Sequence, residues 1–226
     1  MGRYAVAIRA DHGVQSIPEV ARDLGRDAGR VDFQNPKKTA TTFADLAPDR
    51  RQLEKLAAKN LGLIVTEKTP IANALVSYFE EPALYLNWAR VAAAHLDGER
   101  VERALRDAAT QIHGIRTAFT SRELIAVDKP SSAIETAMRL SFRADRSGDV
   151  LVALKPGYIW GYSNTGTTHG QAVDDDQHVP LLFFGRGITE GTWSDEVAPT
   201  FLAKTIAALV NVDAGGSETR VLPCVK

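Results

Sequence analysis

YAVAIRADHG, residues 4–13, is a short apolar run that passes straight into a carboxylate, an imidazole and a glycine. Tyr4 to Ile8 reads as a strand. Asp11-His12-Gly13 then falls at its carboxyl end, where a central strand of an α/β sheet hands polar residues to a loop. Domains rarely open on a central strand, so the sequence is expected to begin inside a larger sheet.

Working outward, 11–29 reads as a polar loop over the sheet edge. Asp49 to Leu61 is an amphipathic helix with Leu53, Leu56, Ala57 and Leu61 on one face and Gly62 at its stop. Leu61 to Val65 reads either as a short strand or as the end of that helix. Ala83 to Leu86 and Ile115 to Phe119 are predicted strands around a helix from Glu99 to His113, whose Val101, Ala104, Leu105, Ala108, Ala109 and Ile112 repeat at helical spacing. A helix over Ser132 to Phe142 follows, capped by Ser131 or Ser132. Asp149 to Leu154 and Val179 to Phe184 have the length and branching of buried strands. The last helix, Ala198 to Val210, is predicted to bury Phe201, Leu202, Ile206 and Leu209, ahead of a tail with a short terminal strand.

The composition excludes several classes. The chain has 226 residues, 44% hydrophobic and 24% charged, with a formal net charge of -1. That is an ordinary globular balance, without the basic excess of a protein that grips nucleic acid by charge. The single cysteine rules out an internal disulfide and a cysteine-rich metal site. No stretch approaches the roughly 18 apolar residues of a membrane span, and the first residues lack a secretory leader pattern, which leaves the compartment unassigned.

Three polar constellations could carry chemistry. Asp11 and His12 can converge on a borderline cation such as Zn²⁺, with Gly13 relieving the backbone turn; the alternative is a turn capped by the aspartate. In residues 164–170, Asn-Thr-Gly-Thr-Thr-His-Gly, two glycines bracket a polar turn that holds His169 beside a following strand. Asp174 to Asp176 reads as a solvated acidic loop. His178, leading into a strand, reads as a hydrogen-bonded residue near the site rather than a ligand. His95 and His113 need only solvated or interfacial roles. No nucleophile elbow, P-loop or dinucleotide fingerprint is present.

Taken as an ordered series, the motifs resemble the alkaline phosphatase superfamily, within it the type I phosphodiesterase/nucleotide pyrophosphatase branch with its bacterial alkaline phosphatases. The series runs ADHGV (10–14), YLN (85–87), RSGDV (146–150), LKPGY (154–158), GTTHG (166–170), HVPLLF (178–183) and VAPT (197–200). RSGD followed by KPGY argues against a sulfatase or phosphoglycerate mutase branch. The resemblance implies an α/β fold: the C-terminal part of a central sheet flanked by helices, formed by 1–70 and 145–226, with an inserted α/β subdomain at 71–144. It also implies a phosphoric ester hydrolase with two zinc ions about 4 Å apart. A Thr or Ser held at one metal attacks phosphorus, and water activated at the other releases phosphate.

On that resemblance Asp11 and His12 match ligands of the metal that carries the nucleophile. His169 matches a ligand of the other metal, and Thr167 and Thr168 the loop presenting it. Family members carry the nucleophile, a further Asp and an Asp-x-x-x-His pair ahead of Asp-His-Gly, whereas here ten residues precede Asp11. The expectation is therefore the C-terminal half of a zinc-dependent phosphatase or phosphodiesterase, a truncated product or one piece of a split chain. Such a chain would hold zinc at partial occupancy and be inactive on phosphate esters alone. The competing expectation is a non-catalytic or repurposed module that needs a partner, such as an N-terminal complementing chain. Relatives are usually periplasmic or secreted, but nothing in this sequence fixes a compartment.

Overall fold

The computed structural model describes residues 4–161, 165–215 and 220–225. Asn164 of the expected histidine loop, and residues 216–219 and 226 of the expected tail, lie outside the described residues. The strands are β1 (Ala5–Arg9), β2 (Gly29–Val31), β3 (Val76–Glu80), β4 (Ala83–Leu86), β5 (Ile115–Thr120), β6 (Val150–Leu154), β7 (Tyr158–Trp160) and β8 (Leu181–Gly185). The helices are α1 (Pro18–Asp23), α2 (Pro48–Asn60), α3 (Trp88–Ala93), α4 (Gly98–Ala109), α5 (Ser121–Ala126), α6 (Ala133–Ser141), α7 (Asp174–Gln177) and α8 (Phe201–Leu209). The chain forms two compact bodies, one of residues up to Asp11 together with those from His178 onward, the other His12–Gln177.

The smaller body holds β1 and β8 as an antiparallel ribbon running from Ala5 opposite Gly185 to Arg9 opposite Leu181. α8 starts three residues later than the sequence predicts, because Ala198 and Pro199 accept the amides of Phe201 and Leu202 in turns that precede it. Its orientation also corrects the expectation. Ile206 is 43% exposed, while Thr205 is fully buried and its hydroxyl accepts the Leu222 amide at 3.1 Å. The predicted terminal strand is reduced to a single bridge between Ile188 and Val225.

The larger body is built on an antiparallel sheet in the order β3-β4-β6-β5. All five residues of β6 are buried, as its unbroken apolar run requires of a strand paired on both edges. α4 covers the sheet with Val101, Ala104, Leu105, Ala108 and Ala109, and its N-terminus is capped by the Asp97 carboxylate, which accepts the Arg100 amide at 2.9 Å. It ends at Ala109 rather than His113, since Gln111 and Ile112 bond three residues back in a tightened last turn before Gly114. Ser132 caps α6, as one of the two predicted serines. Residues 61–65 form no strand; Gly62, at φ +75°, ends α2 in a turn.

The region 11–29 is not only a loop. Pro18, at the first position, opens the short helix α1, and Gly29 begins β2, which pairs in parallel with β7. An ion pair buried in the core locks α2 to β3. Arg50 and Glu54 are each 1% exposed; Glu54 accepts the amides of Leu75 (2.8 Å) and Val76 (3.1 Å), and Arg50 donates to the Val76 carbonyl (2.6 Å). Burial raises the Glu54 carboxyl above the ordinary carboxylate value.

Candidate metal centre

Two distant loops of the larger body bring His12 and His169 together. Their rings stack with centroids 3.5 Å apart and planes 17° from parallel. His12 Nδ1 lies 2.7 Å from the Gly13 carbonyl. A carbonyl only accepts, so Nδ1 carries the proton and Nε2 keeps the lone pair in the neutral ring.

The surrounding loops fix this arrangement. The Gly13 amide donates to the Asp176 carbonyl at 2.8 Å, and a Cβ on Gly13 would stand 1.9 Å from the Asp175 carbonyl oxygen. Glycine is therefore required here by close approach of two backbones. Thr167 donates its hydroxyl to the Gln15 carbonyl (2.7 Å), tying the His169 loop to the His12 loop. Gln15 is itself buried, donating to the Tyr158 carbonyl (2.9 Å) and accepting the Gly157 amide (2.7 Å). Arg30 forks onto Glu19 at 2.9 and 2.8 Å and donates to the Gly166 carbonyl (2.7 Å). That fork holds the Glu19 carboxyl down at about 2. The bracketing glycines Gly166 (φ +78°) and Gly170 (φ +101°) take left-handed conformations.

The acidic run is only partly the solvated loop expected. It forms the single turn α7, in which Asp174 and Asp175 are exposed but Asp176 is 4% exposed. Asp176 Oδ2 accepts the Gln171 amide at 2.7 Å, while Oδ1 has no hydrogen-bond partner among the described residues. Burial pushes this carboxyl up, opposed first by the hydrogen bond from the Gln171 amide. An acidic triplet gives no sign in sequence of which member turns inward, so Asp176 was illegible.

Asp11 belongs to the smaller body, is exposed, and accepts Arg9 Nη2 on its carbonyl at 3.2 Å. His178 also lies in the smaller body and is exposed; the hydrogen bond expected of its ring is not found among the described residues. Thr168 is half-buried, and its carbonyl faces the Thr167 hydroxyl at 3.4 Å. Among the described residues no cluster of three or more His, Cys, Asp or Glu side chains could hold a metal ion.

The stacked pair nevertheless discriminates between metal arrangements. Nearly parallel rings 3.5 Å apart keep their in-plane lone pairs in separate planes, so both cannot point at one ion about 2 Å away.

His113 has a role beyond solvation. Its Nε2 lies 2.6 Å from the Tyr158 hydroxyl, which donates to Asp27 at 2.5 Å; all three line an open cavity of about 330 Å³ together with Arg22, Arg26 and Arg30. Gly29 and Gly114 press against the Tyr158 ring, where a Cβ on either would clash. Burial, then the bond to Asp27, raises the phenol to about 12.

The chain superposes on the crystal structure of alkaline phosphatase PafA with a TM-score of 0.73 at 20% identity, over 98% of this chain and 38% of that one. Its fold is part of an alkaline phosphatase-like fold. In sequence it is 40% identical to alkaline phosphatase PafA of Elizabethkingia meningoseptica over 67 residues, 30% of this chain and 12% of that protein. It is 26% identical to alkaline phosphatase PhoK of Sphingomonas sp over 220 residues, 92% of this chain and 35% of PhoK. A protein of Myroides odoratus named calcium-transporting ATPase is 24% identical over 213 residues, 94% of this chain and 35% of its own length. No family model matches. The chain spans about a third of the length of the curated relatives it matches along most of its own sequence.

Proposed function

We propose that the chain is the C-terminal part of a zinc-dependent phosphoric ester hydrolase of the alkaline phosphatase/phosphodiesterase type. The observation that carries this is the parallel stacking of His12 on His169 at 3.5 Å, which brings two imidazoles from separate loops together in planes that cannot share one ion. Similarity to PafA and PhoK supports it. In this reading Asp11 and His12 hold one metal and His169 the other; bound zinc neutralises charge on the transferring phosphoryl group. The rest is positioning by this chain. The Gly13 carbonyl fixes the His12 tautomer, the Thr167–Gln15 bond holds the His169 loop, and Arg30 anchors that loop through Gly166. Thr168 and His178 border the site. Residues 71–144 are, in the same reading, an insertion in the core formed by 1–70 and 145–226.

In this reading the family's nucleophile is not among these 226 residues, and they do not turn over phosphate esters by themselves. The test is hydrolysis of p-nitrophenyl phosphate and a diester analogue with Zn²⁺. The chain alone should not exceed a His12→Ala control, and addition of the N-terminal part of a relative such as PhoK should give zinc-dependent turnover that His12→Ala and His169→Ala abolish. Turnover by the chain alone well above that control overturns the reading.

A further inference from the structure

The open cavity beside His113 lies wholly within the larger body, and neither His12 nor His169 lines it. Its frame is held still. The Arg30 side chain, 14% exposed, is locked by the fork on Glu19 and the bond to the Gly166 carbonyl. The Tyr158 carbonyl accepts from Gln15, and its hydroxyl joins His113 to Asp27. That hydroxyl gives its one proton to Asp27, so His113 Nε2 carries a proton and donates to the phenol oxygen.

Three other groups of the cavity stay open. The Arg26 guanidinium has no hydrogen bond or ion pair among the described residues. Arg22 reaches Glu19 only at 3.6 Å, too far for a hydrogen bond, and its side chain is 53% exposed. Asp27 engages Tyr158 through Oδ1, while Oδ2 accepts no hydrogen bond among the described residues. Three guanidiniums meet two carboxylates, Glu19 and Asp27, which leaves one positive charge in excess. Two open guanidiniums are the complement of an oxyanion. The carboxylate between them repels any oxyanion that does not bring a proton to donate.

We propose that this cavity binds inorganic phosphate, with Arg22 and Arg26 donating to its oxygens and Asp27 Oδ2 accepting its hydroxyl. Inorganic phosphate keeps a hydroxyl throughout the neutral range. Sulfate has none, and a phosphate monoester loses its last one above about pH 6. Asp27 thus selects free phosphate over both. Binding here needs no part of the hydrolase reading, in which phosphate is the released product.

The test is calorimetric titration of the 226-residue chain at about pH 7.5 and about 0.15 M salt, with EDTA present so that no metal holds the anion. Saturable binding of inorganic phosphate at about 1 mM or tighter is expected, with sulfate and ribose 5-phosphate about tenfold weaker or more. Arg26→Gln should weaken phosphate about tenfold. Asp27→Asn should bring sulfate to within about threefold of phosphate. Arg139→Gln, exposed on α6 and outside the cavity, removes the same charge and should change nothing. Arg26 and Arg139 are exposed, so both variants should keep the parent's circular dichroism and melting. No saturable phosphate binding, sulfate bound by the parent as tightly as phosphate, equal weakening by Arg26→Gln and Arg139→Gln, or an unchanged preference in Asp27→Asn would each overturn the proposal. Because metal is chelated, failure of zinc-dependent hydrolysis would leave this site standing, and failure of phosphate binding would leave the hydrolase reading standing.

Discussion

Replacing Gly13 with alanine should separate the two loops that bring His12 to His169. The added Cβ would lie 1.9 Å from the Asp175 carbonyl oxygen and 3.0 Å from its carbon, and both are backbone that cannot swing aside like a side chain tip. Relief requires the Gly13 segment and α7 to move apart, which breaks the 2.8 Å bond from the Gly13 amide to Asp176. Overpacking of this kind costs about 1–3 kcal/mol. The lost backbone bond adds about 1 kcal/mol. Alanine returns up to about 1 kcal/mol through a less flexible unfolded chain, so the net loss should be about 1–4 kcal/mol. Denaturant unfolding of Gly13→Ala gives the global figure, and the ring-proton shifts of His12 and His169 report the stack. Both histidines should move toward the shifts of unstacked rings. A variant with parent stability and unmoved histidine signals would refute the claim that this backbone contact holds the pair.

Glu54→Ala should destabilise the larger body by about 3–5 kcal/mol, because it leaves the buried Arg50 charge uncompensated and two amides without acceptors; urea unfolding measures it, and a loss below about 1 kcal/mol would contradict the buried-pair account. Tyr158 should titrate at about 12 by ultraviolet difference spectroscopy, and Asp27→Asn should lower it toward the ordinary 10.0. Since the folded phenol is raised, the stability it contributes is complete below pH 10.0 and is lost as pH rises through about 12. Unfolding midpoints measured across that window should therefore fall more in the parent than in Tyr158→Phe.

Continuous apolar runs made much of the fold legible. Val150–Leu154 and the helical repeat of Val101, Leu105 and Ala108 admit one reading each, and both are buried as that reading requires. Val76–Glu80 escaped because a register shift between Val76 and Tyr78 breaks its alternation, leaving two exposed residues together. α1 escaped because a helix of six residues has too few turns to show a period, although Pro18 marks its start. At the site, His12 and His169 were legible as residue types flanked by glycines. Their stacking was not, since it depends on long-range bonds such as Thr167 to Gln15. Asp176 and the Tyr158–Asp27–His113 cluster were hidden for the same reason: burial of one carboxylate among three, or contact between residues far apart in sequence, leaves no local pattern.

Zinc titration by calorimetry, on the chain alone and on the complemented assembly, tests the two-metal account most directly. The account predicts weak, sub-stoichiometric binding to the chain alone and two tight zincs in the assembly, with His12→Ala and His169→Ala each removing one. Two tight zincs bound by the 226 residues alone, or a single zinc lost equally in either variant, would contradict it.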